Sequence, residues 1–277
     1  MTRDSIAESY ARDGYVVVRR FFTPAEIARA SAAIDQLWNE GVGLGANWRH
    51  GNLFYNVATG ADGAPKVRMA QWPSYHQPVM NALRLDPRFA ALLFPLIGGD
   101  LKQIINQVHW KEPGGAGDFA WHQDSRFRKP DHVYRNLGTS YIQTGLAIDP
   151  HTRASGCMRF VPGSHLLGDV DLDVDAEVLG RAMDDAALGK IGYTTDDVVD
   201  LELEPGDLAF WNPYLVHASG RNTEGHMRRL YINGYVTAAD CDRGEWAFRD
   251  GQPVELGAEP ALVHYEALPQ DRHPHYV

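Results

Sequence analysis

From about residue 100 the apolar runs become short, and each is closed by a turn cluster. They cover 101–111, 119–124, 140–148, 157–161, 207–211 and 229–236. The first is followed by Pro113-Gly114-Gly115-Ala116-Gly117-Asp118, a stretch that cannot continue a strand. β-branched and aromatic residues are frequent in these runs, as a pleated, half-buried surface favours. No helical pattern alternates with them, which argues against a parallel α/β sheet. A mainly β sandwich or barrel is the architecture left.

The first hundred residues read differently. Thr23-Pro24-Ala25-Glu26 joins a capping box to a proline at the first helical position. Ile27, Ala30, Ile34 and Leu37 then recur at helical spacing and predict a helix over 24–38 with one buried face. Gly14-Tyr15-Val16-Val17-Val18 reads as a strand, and Asp86-Pro87 opens a second helix through Leu96. Gly41-Val42-Gly43-Leu44-Gly45-Ala46 fits a relaxed dinucleotide fingerprint. It follows a helix and leads into Asn47-Trp48-Arg49-His50, the wrong context, so it is read as a loop. With no repeat and no low-complexity linker, one domain over 1–277 is expected. It comprises a helical bracing and lid region (1–100), a β core (101–236) and a C-terminal extension (237–277).

Charge narrows the function classes. The 277-residue chain carries a net charge of −10, which argues against nucleic acid, because a phosphate backbone needs a basic surface. The excess is local: 169–204 holds twelve carboxylates against Arg181 and Lys190, and the rest balances at 24 against 24. A short helix is expected within this insert at 183–188. Arg126, Arg128, Lys129 and Arg135 form an opposite, basic stretch after 124, compatible with an anionic substrate or with a solvated loop. No apolar run reaches the length of a membrane span. The N-terminus lacks an apolar signal core. Two cysteines, Cys157 and Cys241, are too few for a disulfide framework or a thiolate zinc site. A cytoplasmic protein, monomer or homodimer, is expected.

The residues that carry chemistry are Trp121-His122-Gln123-Asp124. On a strand, positions i and i+2 share a face, so His122 and Asp124 can point at one metal ion. A facial triad needs one more histidine from the other eleven and leaves three coordination positions open. His217, in Trp211-Asn212-Pro213-Tyr214-Leu215-Val216-His217-Ala218-Ser219-Gly220, is selected by context. It stands at the end of a predicted strand, and Arg228 opens the next one eleven residues on. A buried arginine suits a dicarboxylate, because its planar fork grips a carboxylate through two hydrogen bonds.

His122-x-Asp124, Gly156-Cys157-Met158-Arg159-Phe160-Val161-Pro162-Gly163-Ser164-His165, Gly206-Asp207, His217-x-Ser219-Gly220-x-Asn222 and Arg228, in that order, closely resemble the phytanoyl-CoA dioxygenase family. Asp13-Gly14-Tyr15-Val16-Val17 and the Thr23-Pro24-x-Glu26 helix extend the resemblance, which runs from about residue 8 to 236. It implies a double-stranded β-helix (jelly roll, cupin-like) and an oxygenase that uses Fe(II), 2-oxoglutarate and dioxygen. His122, Asp124 and His217 match the family's iron ligands. Arg228 matches the residue that salt-bridges the distal carboxylate of 2-oxoglutarate, and Ser219 a hydroxyl that supports it. The neighbouring Arg229 would face the other side of its strand. Gln143 lies where relatives place a small polar cosubstrate contact. Gln107 and His109 alternate inward on the strand before the metal motif, and His109 stands where some relatives carry asparagine. Halogenating relatives replace the carboxylate at the position of Asp124, so its presence favours hydroxylation.

The function expected is therefore 2-oxoglutarate-dependent hydroxylation of a small-molecule metabolite. An oxygenase for an acyl-CoA or a phosphonate, a protein-side-chain oxygenase and a non-catalytic jelly-roll binding protein are the alternatives. Several residues have plainer readings. His165 is read as a turn residue, Cys157 as packing, and His264, His273 and His275 as a solvated tail. Trp211 and Tyr141 either border the site or fill the barrel. Trp48, Arg49 and Asn56 belong to a segment that forms a substrate lid in some relatives.

Overall fold

The structure, a computed structural model, describes residues 3–60, 62–114, 117–129, 131–172 and 183–260. His264, His273, His275 and the middle of the acidic insert lie outside the described residues. The helices are α1 (Arg3–Asp13), α2 (Pro24–Leu44), α3 (Pro78–Arg84), α4 (Pro87–Ile97), α5 (Leu137–Ser140) and α6 (Ala186–Lys190). The N-terminal strands are β1 (Tyr15–Val18), β2 (Trp48–His50), β3 (Leu53–Thr59), β4 (Pro65–Gln71) and β5 (Leu101–Lys111). Then come β6 (Phe119–His122), β7 (Tyr141–Ala147), β8 (Met158–Phe160), β9 (Val199–Leu201) and β10 (Leu208–Trp211). β11 (His217–Ser219), β12 (Arg228–Thr237), β13 (Glu245–Arg249) and β14 (Gln252–Pro253) complete them. The strand pairs described are antiparallel, and the fold is of the double-stranded β-helix class. Two compact, interleaved units can be told apart. One holds the residues through Phe22, Lys111–Arg128 and Gln143–Leu230; the other holds Thr23–Trp110, Lys129–Ile142 and the residues from Tyr231.

In the first unit β1, β10 and β7 pair in that order, and β6, β11, β8 and β9 form a second sheet. Its core lies between them, where the Phe160 ring sits 5.7 Å from Trp211 and 5.0 Å, edge-on, from Tyr15. Asp207 explains one sequence motif. Its buried carboxylate accepts from Arg20 N, Arg19 Nη1 and Glu204 N, clamping β1 to the turn before β10. This is structural work. His165 is structural too: its Nε2 meets the Ala11 carbonyl at 3.2 Å, under α1.

The acidic insert divides by chemistry. Leu172, Ala187 and Leu188 join Trp121, Val161, Val216 and Ala218 in an apolar cluster, and Asp185 accepts from the Trp121 indole at 3.0 Å. Trp121 and Ala218 alternate with His122 and His217 along their strands. The 183–198 part of the insert therefore covers the sheet face opposite the two histidines. The carboxylates that ride on it are exposed because its apolar side is buried.

In the second unit β2, β3, β4 and β5 pair in sequence, with β13 on the other edge of β5. The expected capping box is present: Thr23 Oγ1 accepts from Glu26 N at 3.3 Å, and Glu26 Oε2 accepts from Thr23 N at 2.8 Å. Two expectations change here. The glycine-rich stretch read as a loop is the last helical turn of α2, ended by Gly45 at φ 71°. A Cβ at Gly41 would stand 2.7 Å from Val67 Cγ2, so glycine lets the helix lie against β4. Helix glycines cost about 1 kcal/mol each, and burial of the Ile27, Ala30, Ile34 and Leu37 face offsets that. The segment 48–71, expected within a helical lid region, forms three strands. Phe54, Tyr55 and Val57 are all buried, so the strand is covered on both faces and shows no clean alternation.

Candidate active site

The register of β6 against β11 sets His217 directly opposite His122, which brings two residues 95 positions apart to a ring separation of 4.1 Å. β6 ends at His122, and Asp124 starts a 3-10 turn rather than continuing the strand. Gln123 keeps extended angles (φ −115°, ψ 141°), so the i, i+2 relation survives through that one residue. His217 is a correction as well: it starts β11, after a turn that follows Trp211, rather than ending the strand before it. One ligand atom from each of His122, Asp124 and His217 lies within 4.8 Å of the others, and all three residues are buried.

The tautomers suit a metal. His122 Nδ1 lies 2.8 Å from the Ala120 carbonyl and His217 Nδ1 lies 2.9 Å from the Leu215 carbonyl. A carbonyl only accepts, so each Nδ1 carries a proton, which leaves Nε2 as the ring atom that could face a metal. Burial, with His217 adding to it, pulls His122 down to about 3, so the imidazole is neutral and ready to ligate. Burial by itself raises the Asp124 carboxyl. His217, His122, Arg128 and the indole bond from Trp211 outweigh it and hold the carboxylate ionised. Two imidazoles and one carboxylate on one side of a point fit a facial iron site.

Trp211 settles one open alternative. Its Nε1 donates to Asp124 Oδ2 at 2.8 Å, so this buried ring orients the Asp124 carboxylate as well as filling the core. Outer partners of this kind are typically worth about 10- to 100-fold in metal affinity. Trp211→Phe is expected to weaken Fe(II) binding by about that factor while leaving the fold intact; an anaerobic metal titration measures it.

Arg228 and Arg229 point to opposite faces of β12, as period 2 requires. Arg229 grips Asp149 through Nε (2.8 Å) and Nη2 (2.6 Å). Arg228 is buried, donates from Nη1 to the Gly156 carbonyl at 2.8 Å, and its Nε has no hydrogen-bond partner among the described residues. Beside it stands Lys111, which the sequence reading passed over. Its Nζ reaches Ser219 Oγ at 2.8 Å, the Gly220 carbonyl at 2.5 Å and the Gly156 carbonyl at 3.3 Å. Gly156 has to be glycine: its φ is 71°, and a Cβ would stand 2.3 Å from the Gly220 carbonyl. Asn222, fully buried, ties the region down by donating to the carbonyls of Lys111 and His226.

A cavity of about 420 Å³ opens beside His122, with Gln123, Arg126, Asp169, Asp171 and Leu172 in its wall. The Gln123 side chain pins the root of the acidic insert there. It donates to the carbonyls of Gly168 (2.8 Å) and Tyr214 (2.6 Å) and accepts from Val170 N (2.9 Å). Of the basic stretch, Arg126 lines this cavity, whereas Lys129 pairs with Asp131 and Arg135 with Asp242. Gln143 is buried on β7, opposite Trp211. Gln107 and His109, in the second unit, lie on one face of β5 and bond to each other at 2.9 Å.

Residues 10–230 match the family model described as Phytanoyl-CoA dioxygenase (PhyH). The chain belongs to the phytanoyl-CoA dioxygenase family. Its members are oxygenases that depend on Fe(II) and 2-oxoglutarate and consume dioxygen, and this chain is such an enzyme. It is 30% identical over 253 residues to "Methylphosphonate hydroxylase" of Gimesia maris, covering 89% of this chain and 85% of the relative. It is 26% identical over 228 residues to "Dioxygenase lolE1" of Epichloe uncinata, covering 81% and 77%. Among solved structures it resembles the non-heme alpha ketoglutarate dependent epimerase SnoN from nogalamycin biosynthesis. That likeness has a TM-score of 0.62 at 26% identity, covering 94% of this chain and 98% of the other. Among the described residues no helix is long and apolar enough to cross a membrane.

Proposed function

We propose that this oxygenase hydroxylates a small polar metabolite, with His122, Asp124 and His217 holding iron and Arg228 and Ser219 seating the distal carboxylate of 2-oxoglutarate. The reading is carried by one juxtaposition: an open two-imidazole, one-carboxylate cluster and, in the same unit, a buried arginine whose Nε has no hydrogen-bond partner among the described residues. Iron(II), when bound, supplies the oxygen activation that couples decarboxylation of 2-oxoglutarate, to succinate and carbon dioxide, with oxidation of the substrate.

The protein's share is binding and orientation. The Ala120 and Leu215 carbonyls fix the two imidazoles. Trp211 fixes the carboxylate. Lys111 adds a third polar group to the carboxylate seat, and Gln143, in the same unit, is assigned as a further cosubstrate contact, whereas Gln107 and His109 belong to the other unit and bond to each other. A cavity of about 420 Å³ suits a small metabolite. Arg126 on its wall supports a substrate with an anionic group, such as a phosphonate or carboxylate. A non-catalytic binding role is disfavoured, because it needs none of the three open ligand atoms. Cys157 and Cys241 are free and buried, which supports a reducing compartment such as the cytoplasm.

The test is anaerobic. Protein with Fe(II) and 2-oxoglutarate is expected to develop a visible charge-transfer band and, on admission of oxygen, to form succinate slowly. A panel of small phosphonates, carboxylates and amines is then scored for faster succinate formation. Absence of both band and succinate would overturn the proposed site.

A further inference from the structure

Lys111 is 3% exposed at the end of β5, and among the described residues every atom it bonds to is neutral: a hydroxyl and two carbonyls. One of those carbonyls, Gly156, also receives Arg228. Two cation-forming side chains thus converge on one oxygen, and among the described residues neither bonds to a carboxylate.

The groups that face Lys111 do not neutralise it. Asp118, before β6, already accepts from Arg221 at 2.9 Å. The Cys157 thiol, pushed up to about 11 by burial, carries no charge. His151 is held well below its usual value by burial and by Arg228, so it is neutral too. Arg228 remains as a like charge. Burial and then Arg228 lower the Lys111 amine to about 6, whereas burial lowers the Arg228 guanidinium only to about 10. At neutral pH the guanidinium is charged and the amine is not. The Ser219 hydroxyl can rotate to donate to the amine lone pair.

We propose that 2-oxoglutarate binds together with one proton, which is taken from solvent onto Lys111. A carboxylate placed at Arg228 and Ser219 brings a negative charge against the amine and favours its ammonium form, an N–H bond being the one bond formed. Ser219 then accepts, and the seat becomes two cations around one carboxylate. The inference rests on the assignment of Arg228 and Ser219 to the cosubstrate.

The linkage has a definite sign. Below about pH 6 the free protein already holds the proton, and the dissociation constant is flat. Above it, the constant rises toward about tenfold per pH unit, because each binding event must draw a proton. Calorimetry of the anaerobic Fe(II) protein with 2-oxoglutarate, in two buffers of different ionisation enthalpy, reads the uptake directly. About one proton per 2-oxoglutarate is expected at about pH 7.5 and about a quarter at about pH 5.5. Lys111→Met is expected to bind more weakly with no uptake.

Binding whose heat is the same in both buffers at about pH 7.5 overturns the inference and leaves the cosubstrate site standing. Uptake that persists in Lys111→Met overturns it by moving the proton elsewhere, to His151 first. Absence of any 2-oxoglutarate binding, by heat and by absorbance, overturns the site assignment and this inference with it. Should Lys111→Met fail to fold, the contrast between the two pH values in the unaltered protein still decides.

Discussion

Asp124→Ala is expected to abolish the charge-transfer band and to cut succinate formation by more than about 100-fold, beyond the cost of losing a mere outer partner. The variant keeps both imidazoles, each fixed by a backbone carbonyl, and loses the one anionic ligand. Its fold should hold. Desolvation of the carboxylate is outweighed by His217, His122, Arg128 and the Trp211 indole, which hold it ionised, so removing it costs some stability and leaves the indole N–H without its acceptor. The metal-free variant is therefore expected to stay folded but to melt somewhat lower than the unaltered chain. Fe(II) should raise the melting temperature of the unaltered protein by mass action and that of the variant little. Anaerobic thermal scans with and without Fe(II) check both halves. A variant that keeps within tenfold of normal succinate output would remove Asp124 from the iron.

Arg228→Ala and Arg229→Ala should part company. Truncating one member of a buried charged pair typically costs about 2–5 kcal/mol, roughly 30-fold to several thousand-fold in affinity at about 1.4 kcal/mol per tenfold. The apparent 2-oxoglutarate constant of Arg228→Ala should rise by that much, with kcat at saturation less affected. Arg229→Ala breaks the two-point grip on Asp149 instead. Its 2-oxoglutarate constant should stay within about twofold, and stability should fall by about 1–3 kcal/mol. Initial rates against 2-oxoglutarate concentration and a denaturant melt separate the two. Equal kinetic effects would mean that the wrong arginine had been chosen.

Much of this site was legible in the sequence because its parts obey short-range rules. His122 and Asp124 are two residues apart, and extended backbone at Gln123 keeps them on one side. Arg228 and Arg229 are separated by strand alternation alone. The 24–38 helix declared itself through its capping box and apolar spacing. Where the reading went astray, burial had overridden a local signal. Three glycine codons' worth of flexibility at 41–45 suggested a loop, yet close approach to β4 needs Gly41 inside a helix. The 48–71 strands were hidden because burial on both faces erases alternation.

Motif order was enough for the likeness to an iron and 2-oxoglutarate oxygenase family, and a residue count was enough for the net charge of −10 concentrated in one insert. The tertiary structure decided what those features touch. It set Lys111 against Ser219 across 108 positions of chain, a contact that no spacing rule encodes. It gave Trp211 to Asp124. It divided the acidic insert, with Asp169 and Asp171 in the cavity wall beside His122 and 183–198 packed on the opposite face of the sheet. The physical reason is common to all three. Periodicity fixes which way a side chain leaves its own strand, but long-range packing decides what meets it there.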